Sequence, residues 1–329
     1  MKSLTGIRIA SLIFLIAASP ADGQTARFAF VSNEGSHDVT IIDLSSNRIV
    51  GTLPVAGRAR GIQVSPDQKR VYVAVSDDKP RTQGSADAIA IIDVASKKVI
   101  ATYPVGSNPE QFAVTPDGAR LYASNEDAGT ATAIDLRTGK TLATLVVGIE
   151  PEGVGISPDG RWAYVTSETS NSVSVIDTHS NRVVGNMLVD IRPRVVVFSR
   201  DGSRAFVTAE VGGTVTVIDT RTREILTTFP LAHGEEKPVG LAISPDGRRL
   251  YVAGGHSGML SVVDARTYKT IATIAVGKRP WGVAITPDGR YVYTANGLSN
   301  DVSIVDTRTN RVAGTIGVGT RPWGVAIAR

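Results

Sequence analysis

Seven copies of one strand-and-turn unit in a single chain predict an all-β fold, a seven-bladed β-propeller of four-stranded antiparallel blades. Three observations carry this. A β-branched run ends in Ile-Asp or Val-Asp at Asp43, Asp93, Asp135, Asp177, Asp219, Asp264 and Asp306, at intervals of 50, 42, 42, 42, 45 and 42 residues. A fixed period of this length marks one small unit copied around an array. Each unit divides into four alternating apolar/polar runs of strand length, punctuated by Gly, Pro, Asn and Asp. A sheet that small cannot bury both faces alone, and radial stacking does it. The third observation is at the ends. The repeats start with a second strand and stop after a first, so the two ends complete one blade between them and leave no open edge.

The unit is clearest from Thr273 onward. Strand A is Trp281–Thr286, followed by Pro-Asp-Gly at 287–289, where Pro fixes φ, Asp bonds its own backbone and Gly accepts positive φ. Strand B is Arg290–Ala295, strand C Asp301–Val305 and strand D Arg311–Val318. Strand B recurs at 28–33, 71–76, 121–126, 163–168, 205–210, 250–255 and 291–296. The Ile/Val-Asp carboxylates are expected to accept Asx-type bonds in the C–D turns, and seven copies make them architectural rather than catalytic. The split blade takes strands B, C and D from the N-terminal end and strand A from 324–328, a 1+3 closure.

Residues 1–21 read as a secretory signal peptide, with cleavage at Ala21 or as late as Gly23. Lys2 and Arg8 give a positive n-region, Ile9–Ala18 an apolar core, and Ser19-Pro-Ala21 or Ala21-Asp-Gly23 a small-residue cleavage site. About ten apolar residues fall short of the ~20 that span a bilayer. A periplasmic protein with no membrane span is therefore expected, with residues 24–329 forming a single propeller domain. Loss of Lys2 and Arg8 leaves 33 basic residues against 31 acidic, and no basic stripe with interleaved aromatics exists, so nucleic acid is not an expected partner. Cysteine is absent, which removes disulfides, thiolate catalysis and Cys-held clusters. The histidines, His37, His179, His233 and His256, form no His-x-x-x-His pair, and no metal ligand is assigned. There is no Gly-x-Ser-x-Gly elbow and no phosphate-cradling loop.

With its strand B consensus, as in Ala163-Tyr-Val-Thr166, the chain resembles the YVTN-type seven-bladed β-propeller family over nearly all of residues 24–329. A narrower set, IEPEGVGISPDG (149–160), VTSETSNSVSVID (165–177), NMLVDIRPR (186–194) and TAEVGGTVTVID (208–219), resembles exported propellers associated with pyrroloquinoline-quinone (PQQ)-dependent alcohol catabolism. The resemblance implies a periplasmic setting and an accessory role beside a quinoprotein dehydrogenase or cytochrome, with PQQ as a candidate ligand. It supplies no catalytic residues.

In this topology the D–A and B–C loops share one face of the ring, and the A–B and C–D turns the other. Asp67 to Asp93 spans 26 residues against 18 for Asp117 to Asp135, which puts extra residues in the B–C loop at 77–87. Asp219 to Asp246 spans 27 against 24 for Asp177 to Asp201, which lengthens the D–A loop at 231–238. Both insertions decorate the D–A/B–C face, where binding loops are expected. On that face, the turns leading into strand A bring Arg58, Arg60, Glu110, Glu152, Arg194, Arg279, Trp281, Arg321 and Trp323 nearest the axis. These form the candidate ligand- or partner-binding set. An Arg fork captures carboxylates bidentately, and two Trp on neighbouring blades flank a planar ring or cation. The same residues have a structural role, with the charges neutralising one another and the Trp rings packing between blades, and this is the expected one.

The expected function is therefore an exported, non-catalytic binding or scaffold propeller, accessory to a periplasmic PQQ-dependent alcohol oxidation system. It would hold a dehydrogenase, a cytochrome or a small anionic ligand on its loop-rich face, with no residue in a catalytic role. A first alternative is an enzyme, a lactonase-like hydrolase or a quinoprotein, that uses the central funnel. Its motive is the convergence of Glu110, Glu152 and the arginines, since paired carboxylates do acid–base work. A second alternative is a surface adhesion propeller, which the fold permits and no local feature supports.

Overall fold

The computed structural model describes residues 27–78, 86–231 and 236–329. The expected signal peptide, the stretches 79–85 and 232–235 of the two long loops, and His233 lie outside the described residues.

The strands form seven separate four-stranded antiparallel sheets, each ordered A-B-C-D. Strand A is Pro322–Ala328 in blade 1, Arg58–Val64 in blade 2, Pro109–Val114 in blade 3 and Pro151–Ile156 in blade 4. It is Pro193–Phe198 in blade 5, Pro238–Ile243 in blade 6 and Pro280–Ile285 in blade 7. Successive strands A pack side by side around the ring and so surround its axis. Strands D form the outer rim, where Ile100 and Leu226 are exposed. In blade 7 the other strands are Tyr291–Asn296, Asp301–Asp306 and Arg311–Gly317, each within a residue or two of its sequence-predicted bounds. The one helical element among the described residues is a 3-10 turn at Glu126–Ala128. No helix among them is long and apolar enough to cross a membrane.

The β-branched alternation supplies an apolar layer between each pair of neighbouring blades. Between blades 4 and 5, for example, Tyr164 packs edge-on against Phe198 at 4.8 Å. The repeated turns behave as their residues dictate. Asp135 Oδ1 accepts the N–H groups of Arg137 and Thr138 at 2.9 and 2.8 Å, and Asp177, Asp219 and Asp264 bond in the same way. The Thr138 bond foremost holds the Asp135 carboxyl below the usual carboxylate range. In the Pro-Asp-Gly turns Gly289 sits at φ 72°, and in blade 2 Gln68 takes that left-handed position at φ 63°.

The split blade closes the ring. Strand A of blade 1 pairs antiparallel with Phe28–Asn33, from Phe28 opposite Ala328 to Asn33 opposite Pro322. Deleting Pro322–Arg329 strips this strand, uncovers the apolar layers on both sides and opens a sheet edge. The deletion is expected to lower the thermal midpoint by more than about 10 °C or to abolish folding. A truncated protein that melts with the full chain would contradict this closure.

Candidate functional site

A funnel opens on the D–A/B–C face, built from one repeated position. In six blades strand A begins with Pro, and the next residue reaches the axis; blade 2 has Ala59 in place of the Pro. From blade 1 to blade 7 this residue is Trp323, Arg60, Glu110, Glu152, Arg194, Val239 and Trp281. A Gly follows in five blades because the neighbouring strand A comes so close. A Cβ on Gly153 would lie 2.1 Å from the Arg194 carbonyl oxygen, and one on Gly240 1.9 Å from that of Trp281.

Two contacts then aim the side chains. Ser32, Ser124, Thr166 and Thr208, all in strands B, donate their hydroxyls to the carbonyl oxygens of Arg60, Glu152, Arg194 and Val239 in the following blade, at 2.5, 2.5, 2.7 and 2.7 Å. The residue before the strand A Pro is held left-handed: Asn108, Glu150, Arg192, Lys237, Arg279 and Arg321 have φ between 45 and 62°. Such a conformation costs a non-Gly residue of order 1 kcal/mol. Its carbonyl oxygen accepts the N–H of the residue just past strand B at 2.8–3.0 Å. That residue is thereby drawn over the funnel mouth. In blades 1, 3, 4 and 5 it is Glu34, Glu126, Glu168 and Glu210; in blades 6 and 7 it is Gly255 and Gly297.

The result is a cavity of about 410 Å³ with two unlike walls, a size that suits a small ligand. On one wall, Arg60 pairs with Glu34 at 3.2 Å, with Glu126 at 3.6 Å and with Glu110. Arg194 pairs with Glu152 and Glu210, each at 2.7 Å, and with Glu168. Arg58 lies 3.5 Å from Glu34, and Arg192 2.6 Å from Glu168. Six carboxylates therefore meet these four guanidiniums and the more exposed Arg321. Burial first, then the negative charge of Glu152, push the Glu126 carboxyl from its ordinary 4.5 up to about 7, against the pull of Arg60.

The other wall is aromatic. The rings of Trp281 and Trp323 lie 6.0 Å apart at 44°. The Arg279 guanidinium sits 4.7 Å from the Trp281 ring and that of Arg194 5.1 Å from it. No carboxylate among the described residues pairs with Arg279, and Arg321 is largely exposed, 3.8 Å from Glu34.

Eight of the nine side chains singled out in the sequence line this cavity. Arg58 does not; it donates to Asn108 Oδ1 at 2.9 Å. The expected neutralisation holds for Arg60 and Arg194, while Trp281 is half-buried and presents its ring to the cavity. Sequence reasoning missed Glu34, Glu126, Glu168 and Glu210, which follow strand B rather than lead into strand A. The signal was present: each ends a Ser/Thr-x-Glu pattern, whereas blades 6 and 7 carry Ala253-x-Gly255 and Ala295-x-Gly297. No histidine among the described residues lines this wall. His37 Nε2 lies 3.1 Å from Asp78 Oδ1, and His179 lines a groove on the opposite face.

The chain is a seven-bladed β-propeller. The family model described as "Lactonase, 7-bladed beta-propeller" matches residues 186–317, and that of the "Choice-of-anchor I domain" matches residues 18–138. No curated protein matches the chain. Among solved structures, the chain is 25% identical to hydrazine synthase of Kuenenia stuttgartiensis, with a TM-score of 0.76 over 84% of this chain and 92% of that one. A candidate 6-phosphogluconolactonase from Bacteroides fragilis is 18% identical, TM-score 0.77, over 94% and 100%. Its counterpart from Bacteroides uniformis is also 18% identical, TM-score 0.77, over 93% and 100%. Those two likenesses are of fold alone.

The lactonase match over 186–317 corrects two expectations, the non-catalytic accessory scaffold and the absence of enzyme activity. The expected neutralisation rests on the residues leading into strand A, and Glu34, Glu126, Glu168 and Glu210 of the B–C loops add four carboxylates to the same wall.

Removing the cation from a buried cluster strands its partners. Arg194→Met is expected to cost about 3–5 kcal/mol at pH 7, because Glu152, Glu168 and Glu210 lose their shared counter-charge. Urea unfolding at pH 7 measures this, and a variant within about 1 kcal/mol of wild type would refute the pairing.

Proposed function

We propose that the chain is a hydrolase that opens a cyclic ester, a lactone, in the central funnel. One observation carries the reading: Glu126, whose carboxyl burial pushes up to about 7, shares a cavity with two Trp rings and Arg279, which has no carboxylate partner among the described residues. A base poised near neutral pH suits general acid–base catalysis. The match of residues 186–317 to the lactonase family supports the choice of reaction. The ring lies against Trp281 and Trp323. Ionised Glu126 takes a proton from a water as the water oxygen adds to the ester carbonyl. The charge that develops on the carbonyl oxygen is met by the Arg279 guanidinium. Glu126 then returns the proton to the ring oxygen as the C–O bond breaks, which leaves a hydroxy acid.

The expected setting belongs to the same proposal: export through the signal peptide of residues 1–21, and, from the sequence resemblance, a quinoprotein dehydrogenase with its PQQ as the neighbouring chemistry. Oxidation of a cyclic hemiacetal gives a lactone, so an alcohol-oxidising enzyme is the class of reaction that would supply this substrate. Cell fractionation tests the export, and intact protein beginning at Met1 in the cytosol would overturn it.

Glu126→Gln is expected to lower kcat on simple γ- and δ-lactones by about a hundred-fold or more. The base must be ionised, so wild-type turnover rises as pH passes through about 7. The same shift has a stability consequence of opposite sense. A folded-state pKa raised above the ordinary 4.5 means the fold holds the proton more tightly than the unfolded chain. Stability therefore falls as pH rises from about 4.5 to about 7, and Glu126→Gln should melt higher than wild type above pH 7 and equally below pH 4.5. A Gln variant with full turnover would sink the assignment. Trp281→Ala is expected to raise KM about ten-fold or more, with a smaller effect on kcat.

A further inference from the structure

We infer that Asn108 is a positioning residue that ties Arg58 to Glu126 and sets how readily that carboxyl gives up its proton. The inference deepens the hydrolase reading, which supplies Glu126 with its role. Asn108 occupies the left-handed turn position of blade 3, at φ 53°, where the other blades place charged residues. It is buried, and its side chain spans two charges. Arg58 Nη2 donates to Asn108 Oδ1 at 2.9 Å, and Arg60 Nη1 reaches the same oxygen at 3.5 Å. Asn108 Nδ2 donates to Glu126 Oε2 at 2.6 Å and points to Asp127 Oδ1 at 3.5 Å. The amide cannot be turned round, because a guanidinium only donates and a carboxylate only accepts. Main chain adds to the hold, since the Glu126 N–H donates to the Asn108 carbonyl oxygen at 3.0 Å.

The Asn108 amide favours ionised Glu126, because a donor stabilises the carboxylate and does nothing for the neutral acid's O–H. It acts against Glu152, Asp127 and Glu150, whose negative charges oppose ionisation, and alongside Arg60. Arg58 polarises the amide from its other end. This gives Arg58 a place in the site without lining the cavity. A cation here would favour the ionised form of Glu126 and a carboxylate the neutral acid, whereas the amide supplies a donor without adding a charge.

The test is carboxyl-carbon NMR of the full chain labelled at glutamate, with the Glu126 signal assigned by its loss in Glu126→Gln. Asn108→Gly deletes the amide and accepts the left-handed turn freely, so folding is spared. Asn108→Asp keeps the shape and replaces the donor with a second carboxylate. Asn108→Gly is expected to raise the Glu126 midpoint by about one pH unit or more. Asn108→Asp should raise it further, with the two carboxyls titrating in coupled steps. The pH of half-maximal lactone turnover should move with it. Folded variants in which Glu126 titrates as in wild type would overturn the inference, including the case where only the melting temperature falls. A midpoint that moves in a protein that hydrolyses no lactone would leave Asn108 in this role and remove the hydrolase reading.

Discussion

Strand A of one blade is held to strand B of the blade before it by a side-chain hydroxyl on a main-chain carbonyl, in the gap between sheets where no ladder bond reaches. Ser32, Ser124, Thr166 and Thr208 make these bonds. Three of the four carbonyls belong to Arg60, Glu152 and Arg194, the charged residues of the funnel. The contact that fixes the spacing of the blades is thus the one that aims the cations and carboxylates at the axis. The left-handed turn just before strand A completes the device, because its carbonyl draws Glu34, Glu126, Glu168 and Glu210 across the mouth. Blades 6 and 7 have Ala and Gly at the two corresponding positions, so their side of the funnel is left to Trp281 and its neighbour Trp323.

Charge is distributed to match. Buried ion pairs are weak evidence for stability, since desolvation offsets much of their attraction. The funnel nevertheless concentrates two guanidiniums, each within reach of three carboxylates. The arrangement makes physical sense as preorganisation: fixed charges in a partly dry cavity act more strongly than in water and need no rearrangement when a reaction develops charge. Burial first, and then the negative charge of Glu152, makes Glu126 exchangeable near neutral pH.

The fold was legible because a period-2 pattern, a Pro-Asp-Gly turn and an Ile/Val-Asp stop recur at fixed spacing, and because the chain ends supply complementary parts of one blade. The axial residues were legible for the same reason: they follow a repeated Pro. The B–C loop glutamates were not, because residues such as Glu126 and Glu168 read as the last position of strand B, and a one-residue difference in a strand changes which way the side chain faces. Asn108 was visible only as a neighbour of Glu110. Its role depends on a positive φ and on which end of its amide meets Arg58, and neither can be read from residue type alone. Arg58 does not line the cavity and reaches the site through Asn108.

A crystal structure of the full chain with a lactam, the amide counterpart of the cyclic ester that resists hydrolysis, addresses the location of the chemistry directly. The lactam ring should lie on Trp281 and Trp323, with its carbonyl oxygen toward Arg279 and a water between its carbonyl carbon and Glu126. A lactam held instead on the opposite face, in the groove near His179, or a funnel that stays empty at saturating ligand, would contradict a hydrolytic site at the axis.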